Sequence, residues 1–431
     1  MTLVERFARR TTPVAVIGQG YVGLPLAVEF ARAGFPVFGI DIDEKRIARL
    51  ARGQSYIQDV PTADLAPLVR QGRLKPTTDF SVLRRCGAVS ICVPTPLSKT
   101  RDPDMSYVVS ASEQVARYLH KDELVVLEST TYPGTTDELI LPLLEKTGLK
   151  VGKDFFLAFS PERVDPGNPD FQTRNIPKVV GGITPHCTQA AAALYGQVMD
   201  RVIPVSSTRV AEMVKLLENT FRSVNIGLAN ETALLCERLG IDTWEVIDAA
   251  ATKPFGFMPF YPGPGLGGHC IPVDPFYLSW KARSAGFEAR FIELAGEVNG
   301  KMPEHVVRRV VQSLNQRKRG VNGSRILVLG VAYKANIDDV RESPSLDVME
   351  LLLEMGAKVE YADPHVPGLD LLGRRMKAVP LTAARLKRAD CVVLAAAHRD
   401  FDYSLILRAS RAIVDTRNAF KGKRSPKIIR L

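Results

Sequence analysis

The sequence predicts an α/β protein with two doubly wound parallel sheets, joined by a long central helix and an all-α middle domain. Three observations predict this class. A short apolar strand near the N-terminus runs into a glycine-rich turn, a similar strand opens again near residue 325, and helical periodicity without proline spans residues 209–240. The expected domains are residues 1–205, 206–320 and 321–431.

The composition is typical of a globular protein that buries a core in each domain. The 431 residues are 45% hydrophobic and 24% charged. No stretch reaches the roughly 18 apolar residues of a membrane span, so we expect a cytoplasmic protein without a membrane partner. The cysteines lack the pair spacing of a disulfide framework or a Cys-rich zinc site, which favours a reducing compartment: Cys86, Cys92, Cys187, Cys236, Cys270 and Cys391.

The net charge of +10 raises the question of a nucleic-acid partner. The basic residues are spread along the chain and mixed with acids, with only short runs such as Arg317–Arg319. A positive field equally suits a small polyanionic substrate. We therefore expect no nucleic-acid partner. The scattered cysteines likewise give no reason to expect a metal site.

The first domain opens with the pattern of a dinucleotide site. A predicted strand at 13–17 leads into Gly18-Gln19-Gly20-Tyr21-Val22-Gly23, a helix follows over 24–33, and a second strand at 36–40 ends at Asp41. Gly18 makes the tight turn, Gly20 admits the pyrophosphate, and Gly23 lets helix and strand pack. This order predicts a Rossmann-like domain. A carboxylate at Asp41 suits the ribose hydroxyls of NAD and repels the 2′-phosphate of NADP.

Polar residues follow three further predicted strands of this domain. The strand at 88–93 runs into Pro94 and Thr95, and the strand at 124–127 runs into Ser129 and Thr130. Ligands of doubly wound sheets bind beyond such strand ends, although helix N-caps use the same residue types. The strand at 155–159 leads to Glu162, a candidate acid/base or water-positioning group or else a surface carboxylate.

The middle of the chain reads as helical. The long helix predicted over 209–240 places Lys215, Asn219 and Arg222 on one face, which is either a ligand-binding face or an ordinary solvated one. The same helix is a candidate dimer core. A second helix is expected to start at Asp242 and Thr243 and to reach about Ala251, and more helix should extend to about 315.

Residues 263–275 form a loop so rich in glycine and proline that neither a helix nor a central strand is expected there. Gly263, Gly265, Gly267 and Gly268 let the backbone approach a ligand closely, and Cys270 follows them. A cysteine in such a loop is a candidate nucleophile. A buried structural cysteine beside a turn is the alternative.

The third domain repeats the α/β pattern as a second Rossmann-like unit. Strands are expected at 325–330, 357–361, 391–395 and 412–414, with a helix over 345–354. The loop after the first strand, through Tyr333 and Lys334, lacks the later glycines of the first domain and should not hold a dinucleotide. Lys334, Arg341 and Arg417 suit a pyrophosphate-bearing substrate, unless they are ordinary surface cations.

With these residues in view, the chain resembles the UDP-glucose/GDP-mannose dehydrogenase family from Gly18 to about Arg417. The segments 265–274, 212–219 and 334–344 carry the resemblance. It implies a four-electron oxidation of a sugar C6 alcohol to a carboxylate, with two NAD used in succession by a homodimer or a dimer-based oligomer.

The resemblance also implies roles for individual residues. Cys270 would capture the aldehyde as a thiohemiacetal that is oxidised to a thioester, and Lys215 and Asn219 would stabilise the oxyanion, an effect worth about 3–4 kcal/mol. Asp274 would activate Cys270 or water, while Thr130 and Glu162 would place the hydrolytic water. The expected cofactor-binding residues are Gly18, Gln19, Gly20, Tyr21, Val22, Gly23, Asp41, Arg46, Pro94, Thr95, Thr130 and Arg341. The expected substrate-binding residues are Glu162, Arg163, Lys215, Asn219, Arg222, Tyr261, Gly265, Gly267, Tyr333, Lys334 and Arg417.

One departure bears on the substrate. Family members that act on UDP-glucose typically carry an arginine about 16 residues before the cysteine, where this chain has Pro254. With His269 before the cysteine, the chain looks more like members that oxidise N-acetylated UDP-hexosamines for surface polysaccharides such as lipopolysaccharide. UDP-N-acetylglucosamine is the favoured substrate, with UDP-glucose and UDP-N-acetylmannosamine as alternatives.

Two other functional classes remain open at this point. A non-catalytic nucleotide-sugar sensor would keep the glycines but would not need Cys270, Lys215 and Asn219 together. A 3-hydroxyacid-type dehydrogenase would lack both the second α/β unit and the cysteine loop.

Overall fold

The computed structural model describes residues 1–57, 59–98, 102–165, 168, 170–268 and 270–431. The chain divides into two compact units. Unit 1 comprises Met1–Glu218 and Trp280–Phe287, and unit 2 comprises Asn219–Ser279 and Glu288–Leu431. The domain boundaries predicted at residues 205 and 320 stay predictions.

Unit 1 contains a sheet of eight described strands in the order β3-β2-β1-β4-β5-β6-β7-β8. All neighbours are parallel except β6 and β7, which are antiparallel. The strands are β1 (Val14–Ile17), β2 (Val37–Ile40), β3 (Leu74–Thr77), β4 (Ala88–Ile91), β5 (Leu124–Leu127), β6 (Phe156–Phe159), β7 (Lys178–Gly182) and β8 (Val202–Val205). The predicted strands are confirmed, whereas β3, β7 and β8 were missed.

One helix precedes the strands of unit 1, and the others lie between them along the chain. They are α1 (Leu3–Arg9), α2 (Gly23–Arg32), α3 (Glu44–Ala51), α4 (Thr62–Arg70), α5 (Ser106–Tyr118), α6 (Leu141–Glu145) and α7 (Pro185–Tyr195). A 3₁₀-helix covers Phe80–Arg85 and a π-helix covers Thr135–Ile140. Side chains of the central strands alternate between two separate cores: Val14 and Val16 pack on one face of the sheet, and Ala15 and Ile17 on the other. Both faces are therefore buried, which explains why these strands are continuous apolar runs.

The long helix predicted from periodicity is present as α8 (Thr208–Leu239), which begins in unit 1 and continues in unit 2. The helices after it are α9 (Thr243–Ala250), α10 (Asp274–Ser284), α11 (Arg290–Gly300) and α12 (Met302–Asn315). Asp242 caps α9 as expected, because its side chain accepts hydrogen bonds from the N–H groups of Trp244 and Glu245.

The prediction that residues 263–275 are loop throughout is wrong at its end. The helix α10 begins at Asp274, so Asp274 and Pro275 are helical. Proline is tolerated there because the first turn of a helix has no internal acceptor for its N–H. The glycine-rich part of the segment is loop, as expected.

The second doubly wound sheet is confirmed in unit 2. The described strands are β9 (Arg325–Leu329), β10 (Lys358–Ala362), β11 (Gly368–Leu371), β12 (Arg374–Lys377), β13 (Cys391–Leu394), β14 (Ile413–Asp415) and β15 (Ile428–Arg430). Five of them form a parallel sheet in the order β10-β9-β13-β14-β15, and β11 and β12 form a separate hairpin. The helices of this part are α13 (Pro344–Glu354), α14 (Ala383–Arg388) and α15 (Tyr403–Ala409).

Candidate active site

The loop after β1 has the shape that a dinucleotide requires. Gly18 has φ +91°, and a Cβ at Gly23 would stand 1.8 Å from the carbonyl oxygen of Gly18, so neither position accepts another residue. A Cβ at Gly20 would meet nothing within 4 Å. The space over Gly20 is therefore open, as the predicted approach of the pyrophosphate beside the first turn of α2 requires. The described residues fit the cofactor.

Asp41 lies directly after β2, where the sequence placed the ribose acceptor. Its carboxylate accepts the N–H of Gln19 at 2.8 Å and the N–H of Asp43 at 2.9 Å, and Arg46 lies 3.6 Å away. The side chain of Asp41 is only 6% exposed. These bonds hold the carboxylate against the glycine loop, which explains why an acid is needed at this strand end.

The predicted polar residues after β4 and β5 differ in their surroundings. Thr95 is buried, Pro94 is exposed and Thr130 is half-buried. Ser129 donates its hydroxyl to the carbonyl oxygen of Val93 at 2.7 Å, so it ties two strand ends together. Thr130 and Pro94 keep their predicted role as candidate ligands.

A buried ion cluster surrounds Glu162 and was not predicted. The ammonium of Lys178 lies 3.3 Å from Glu162 and 2.6 Å from Glu128, and Tyr195 donates its hydroxyl to Glu128. Burial acts to raise the pKa of Glu162, but the charge of Lys178 and the N–H groups of Val164 and Arg163 outweigh it and lower that pKa. Glu162 is thus a carboxylate at neutral pH, which favours water positioning over acid catalysis.

Arg163 is occupied within the protein. Its guanidinium donates to the carboxylate of Glu218 at 2.5 and 3.2 Å and to the carbonyl oxygen of Pro177 at 2.7 Å. The sequence predicted Arg163 as a substrate-binding residue. Its hydrogen bonds in the structure indicate that Arg163 holds the 160–164 loop against α8.

Lys215 is a buried cation on α8. It is 6% exposed, and its ammonium has no hydrogen bond or ion pair to the described residues, although the charge of Glu162 is close enough to interact with it. Burying an ammonium is costly unless something compensates its charge. The side chain is therefore suited to an anion or a developing oxyanion.

Asn219 and Asp274 meet in the interior of unit 2. The amide of Asn219 donates to the carboxylate of Asp274, and the two side chains are 5% and 2% exposed. The N–H of Asp274 in turn donates to the carbonyl oxygen of Cys270 at 2.8 Å. Cys270 thus sits one turn before the start of α10 and is half-buried, whereas the other five cysteines are buried. A helix N-terminus favours the thiolate.

The glycine loop packs closely against the strand-to-helix segment of the second sheet. A Cβ at Gly267 would stand 2.5 Å from the Cβ of Tyr333, and one at Gly265 would stand 2.9 Å from Pro344. The N–H of Gly268 donates to the carbonyl oxygen of Arg341 at 3.1 Å. These approaches explain the glycines and place Tyr333 against the loop that carries Cys270. His269 lies outside the described residues.

Arg417 approaches the same loop from the end of β14. A Cβ at Gly263 would stand 2.7 Å from its Nη1, and its Nε donates to the carbonyl oxygen of Ala395 at 2.9 Å. Burial lowers the pKa of Arg417 to about 10. No described carboxylate forms an ion pair with this guanidinium, so it is a strong candidate for a phosphate ligand.

The remaining predicted substrate residues are less enclosed. The hydroxyl of Tyr261 donates to Asp248 at 2.9 Å, and its ring stacks on Trp244. Arg341 forms a bidentate pair with Asp339 at 2.6–3.0 Å. Arg222 is exposed on α8, and Lys334 is half-buried.

Comparison with known proteins identifies the family. The model of the UDP-glucose/GDP-mannose dehydrogenase family NAD binding domain matches residues 12–199, that of the central domain matches 209–301, and that of the UDP binding domain matches 327–422. The chain belongs to the UDP-glucose/GDP-mannose dehydrogenase family. The resemblance read from the motifs is confirmed, and so is the prediction of an NAD-dependent nucleotide-sugar dehydrogenase.

Individual relatives cover almost the whole chain. It is 39% identical over 390 residues to UDP-N-acetyl-D-glucosamine 6-dehydrogenase of Pseudomonas aeruginosa, which covers 90% of this chain and 91% of that protein. It is 36% identical to UDP-N-acetyl-D-mannosamine dehydrogenase of Pyrococcus horikoshii, covering 95% and 96%. A solved structure of a UDP-D-ManNAc dehydrogenase from Pyrococcus horikoshii has a TM-score of 0.89 at 35% identity and covers 97% of this chain and 99% of its own.

Three buried polar residues were not singled out by the sequence patterns. Lys178, Asn299 and His398 are buried polar residues on elements that were unassigned or read as plain helix or loop. A lysine directly before the apolar run 179–182 was a usable signal for Lys178. No local sequence pattern distinguished Asn299 or His398. Across the described part of the chain, no helix combines the length and apolar character needed to cross a bilayer.

Proposed function

We propose that this dehydrogenase oxidises the C6 hydroxyl of a UDP-N-acetylhexosamine, with UDP-N-acetylglucosamine favoured, to the uronic acid. The observation that carries the proposal is the linked set Asn219–Asp274–Cys270. A half-buried thiol at a helix start lies one hydrogen-bonded turn from a buried carboxylate that orients an amide. A protein that only bound nucleotide sugars would have no use for this set.

The thiolate of Cys270 adds to the carbonyl carbon of the C6 aldehyde and forms a C–S bond, which gives a thiohemiacetal. NAD held at the glycine loop of Gly18, Gly20 and Gly23 would accept a hydride from C6 in each of the two oxidations, the first of which converts the alcohol to the aldehyde with loss of the hydroxyl proton. Loss of the second hydride from the thiohemiacetal carbon leaves a thioester on Cys270. Water then attacks the thioester, the C–S bond breaks, and the uronic acid leaves while the thiolate is restored.

Lys215 and Asn219 stabilise the oxygen of the adduct. Lys215 brings a buried positive charge, and the amide of Asn219, held by Asp274, brings a fixed N–H donor. Such prearranged donors are worth more in a dry site than in water, about 3–4 kcal/mol for one donor. Asp274 orients this amide and helps to activate Cys270 or water.

Glu162 and Thr130 position the hydrolytic water. Glu162 is ionised and held in one orientation by two backbone N–H groups and by Lys178. A fixed carboxylate accepts a hydrogen bond from water and directs a lone pair of that water towards the thioester. Thr130 offers a half-buried hydroxyl in the loop after β5.

The UDP moiety binds to unit 2. Arg417 supplies the desolvated guanidinium for the pyrophosphate, and the glycine loop at Gly265 and Gly267 allows close approach. Tyr333, Lys334, Tyr261 and Arg222 complete the substrate-binding set, and Arg341 is assigned to the cofactor.

The choice of an N-acetylated sugar rests on two points. Pro254 stands where UDP-glucose-specific members typically have an arginine, and Phe255, Phe257 and Met258 form an exposed apolar segment beside it. Relatives at 36–39% identity bear the names of UDP-N-acetylglucosamine and UDP-N-acetylmannosamine enzymes. UDP-N-acetylmannosamine and UDP-glucose are the competing substrates, and a surface polysaccharide such as lipopolysaccharide is the proposed destination of the product.

The proposed assembly is a cytoplasmic homodimer formed through α8. Large apolar side chains are exposed along this helix at helical spacing, namely Val210, Met213, Leu217, Phe221, Leu228, Leu235 and Leu239. A continuous apolar stripe of this kind is typical of a protein interface.

The test is NADH production with a panel of UDP- and GDP-sugars, combined with identification of the acid by mass spectrometry. We expect the highest kcat/KM with UDP-N-acetylglucosamine and weak activity with UDP-glucose, because discrimination by single contacts is about 1–3 kcal/mol. A hundredfold preference for UDP-glucose would contradict the substrate assignment. Absence of NADH with every sugar would contradict the enzymatic function.

A further inference from the structure

A buried lysine links two carboxylates in unit 1. Lys178 is the first residue of β7 and is 4% exposed. Its ammonium lies 2.6 Å from Oε2 of Glu128 and 3.3 Å from Oε2 of Glu162. The other oxygen of Glu128 accepts the hydroxyl proton of Tyr195. Each charged group of the cluster therefore has a defined partner.

The direction of β7 explains how this lysine reaches Glu162. In the antiparallel pair of β6 and β7, Phe159 lies opposite Gly181 and Ala158 lies opposite Gly182. Continuing this register for three residues past Phe159 brings Glu162 opposite Lys178. The other described strand pairs of the sheet are parallel, and a parallel β7 would begin at the opposite edge.

The two carboxylates have different environments. Glu162 has Oε1 bonded to the N–H groups of Arg163 and Val164 and Oε2 facing Lys178, and its pKa is lowered although burial acts against this. Burial raises the pKa of Glu128 despite the same lysine. Pairs of carboxyl groups driven apart in this way commonly have separate tasks.

We infer that Lys178 is a positioning residue that fixes Glu162 as a negatively charged acceptor for the water that hydrolyses the thioester. This inference rests on the proposed function, in which Glu162 orients that water. Lys178 touches neither substrate nor cofactor in this scheme and acts through Glu162. Without the ammonium of Lys178, burial is opposed only by the N–H groups of Arg163 and Val164 and by the charge of Lys215, so the pKa of Glu162 rises. A protonated carboxyl group directs its O–H towards a partner instead of accepting from water.

The test compares Lys178→Met, Lys178→Arg and wild type in the proposed dehydrogenase reaction from pH 6 to 9. In Lys178→Met we expect kcat at pH 7 to fall at least tenfold and the acidic limb of the kcat profile to move up by at least one pH unit. The ratio kcat/KM for UDP-sugar and for NAD should change less than threefold, so KM should fall together with kcat, because hydrolysis follows the release of NADH. The oxidation steps precede hydrolysis, so a rapid burst of NADH should appear before a slow steady state.

Lys178→Arg should restore the wild-type pH profile because it keeps the charge. Lys150→Met, a matched change at an exposed lysine of unit 1, should leave rate and profile unchanged. Thermal melting and NAD binding confirm that each variant is folded.

A double variant, Glu128→Gln with Lys178→Met, separates positioning from simple neutralisation. It keeps the net charge of the cluster and does not leave Glu128 as a buried carboxylate without its ammonium partner. The double variant can therefore test the inference even if Lys178→Met does not fold. A persistent shift of the acidic limb supports the inference. A wild-type profile in the double variant, or in folded Lys178→Met, overturns it. Failure of the wild-type enzyme to make any uronic acid would instead overturn the proposed function.

Discussion

His398 donates its Nε2–H to the carboxylate of Asp363, with an N–O distance of 3.1 Å, and both side chains are fully buried in unit 2. The N–H of Asn336 donates to Nδ1 of the same ring at 2.9 Å, which leaves the ring proton on Nε2. Asp363 follows the second strand of its sheet, as Asp41 does in unit 1. The carboxylate of Asp363 is thus hydrogen-bonded to His398 instead of being open to a ribose. This supports the expectation that only the first sheet binds a dinucleotide.

The first prediction concerns cofactor choice. Asp41 should make the wild-type enzyme prefer NAD, because a carboxylate at this strand end repels the 2′-phosphate of NADP. Asp41→Asn should lower the ratio of kcat/KM with NAD to kcat/KM with NADP at least tenfold, because Arg46 can then bind the 2′-phosphate of NADP. Asp43→Asn, the same charge change two residues away, should leave the ratio nearly unchanged. Equal or better use of NADP by the wild type would contradict the prediction.

The second prediction concerns Cys270. Cys270→Ala should abolish formation of the uronic acid while the protein folds and binds NAD, since the second oxidation needs a covalent tetrahedral carbon. Cys270→Ser should accumulate an ester, because an alkoxide leaves less readily than a thiolate, and intact-protein mass spectrometry should show the added sugar nucleotide. Cys236→Ala, a change at a buried cysteine on α8, is the control. Acid formation by Cys270→Ala at near wild-type speed would refute the covalent mechanism.

The third prediction concerns Arg417. Arg417→Met should raise KM for the UDP-sugar at least tenfold and weaken binding of UDP alone, measured by calorimetry, because a half-buried guanidinium is lost from the proposed phosphate site. The KM and UDP affinity of Arg417→Lys should lie between those of the wild type and those of Arg417→Met, since an ammonium does not bind a phosphate through two parallel N–H groups. Arg424→Met, at an exposed arginine, should resemble wild type. Unchanged UDP affinity in Arg417→Met would place the pyrophosphate elsewhere.

The fourth prediction concerns stability and pH. Glu212 on α8 accepts the N–H groups of Gly134 and Thr136 and the hydroxyl of Thr136, yet burial raises its pKa to about 7. The folded state thus binds a proton more tightly than the unfolded state. The resulting stabilisation is complete below the unfolded pKa near 4.5 and is lost as pH rises through 7.

The size of this effect is about 3 kcal/mol at most, from the difference between the two pKa values. Glu212→Gln has no such proton, so the unfolding free energy of the wild type minus that of the variant should decrease from pH 5 to 8 in denaturant titrations. Glu113→Gln, at an exposed position of α5, should show no such trend. A difference that stays constant over this range would show that Glu212 does not titrate there.

Local patterns were sufficient to predict the NAD-binding domain. Gly18 is required by its backbone angle and Gly23 by its contact with the carbonyl oxygen of Gly18 five residues away, and Asp41 follows at a spacing that one helix and one strand determine. The same holds for α8, whose periodicity is a property of adjacent turns. Strands β3 and β8 escaped prediction because they are only partly buried and each contains a proline, so their apolar signal is weak. Strand β7 is fully buried, but its apolar run is only Val179 and Val180, between a lysine and two glycines.

The sequence by itself determined the fold class and the family, and it supplied the candidate residues for the chemistry, because each depends on short-range spacing. Only the tertiary structure decided which of these residues meet. The antiparallel register of β7 brings Lys178 to Glu162, and Asn219 reaches Asp274 across 55 residues of chain. Such contacts depend on strand order and on how helices pack, and many sequences with the same local periodicity would pair differently. The orientation and charge of each candidate catalytic group are therefore properties of the folded chain.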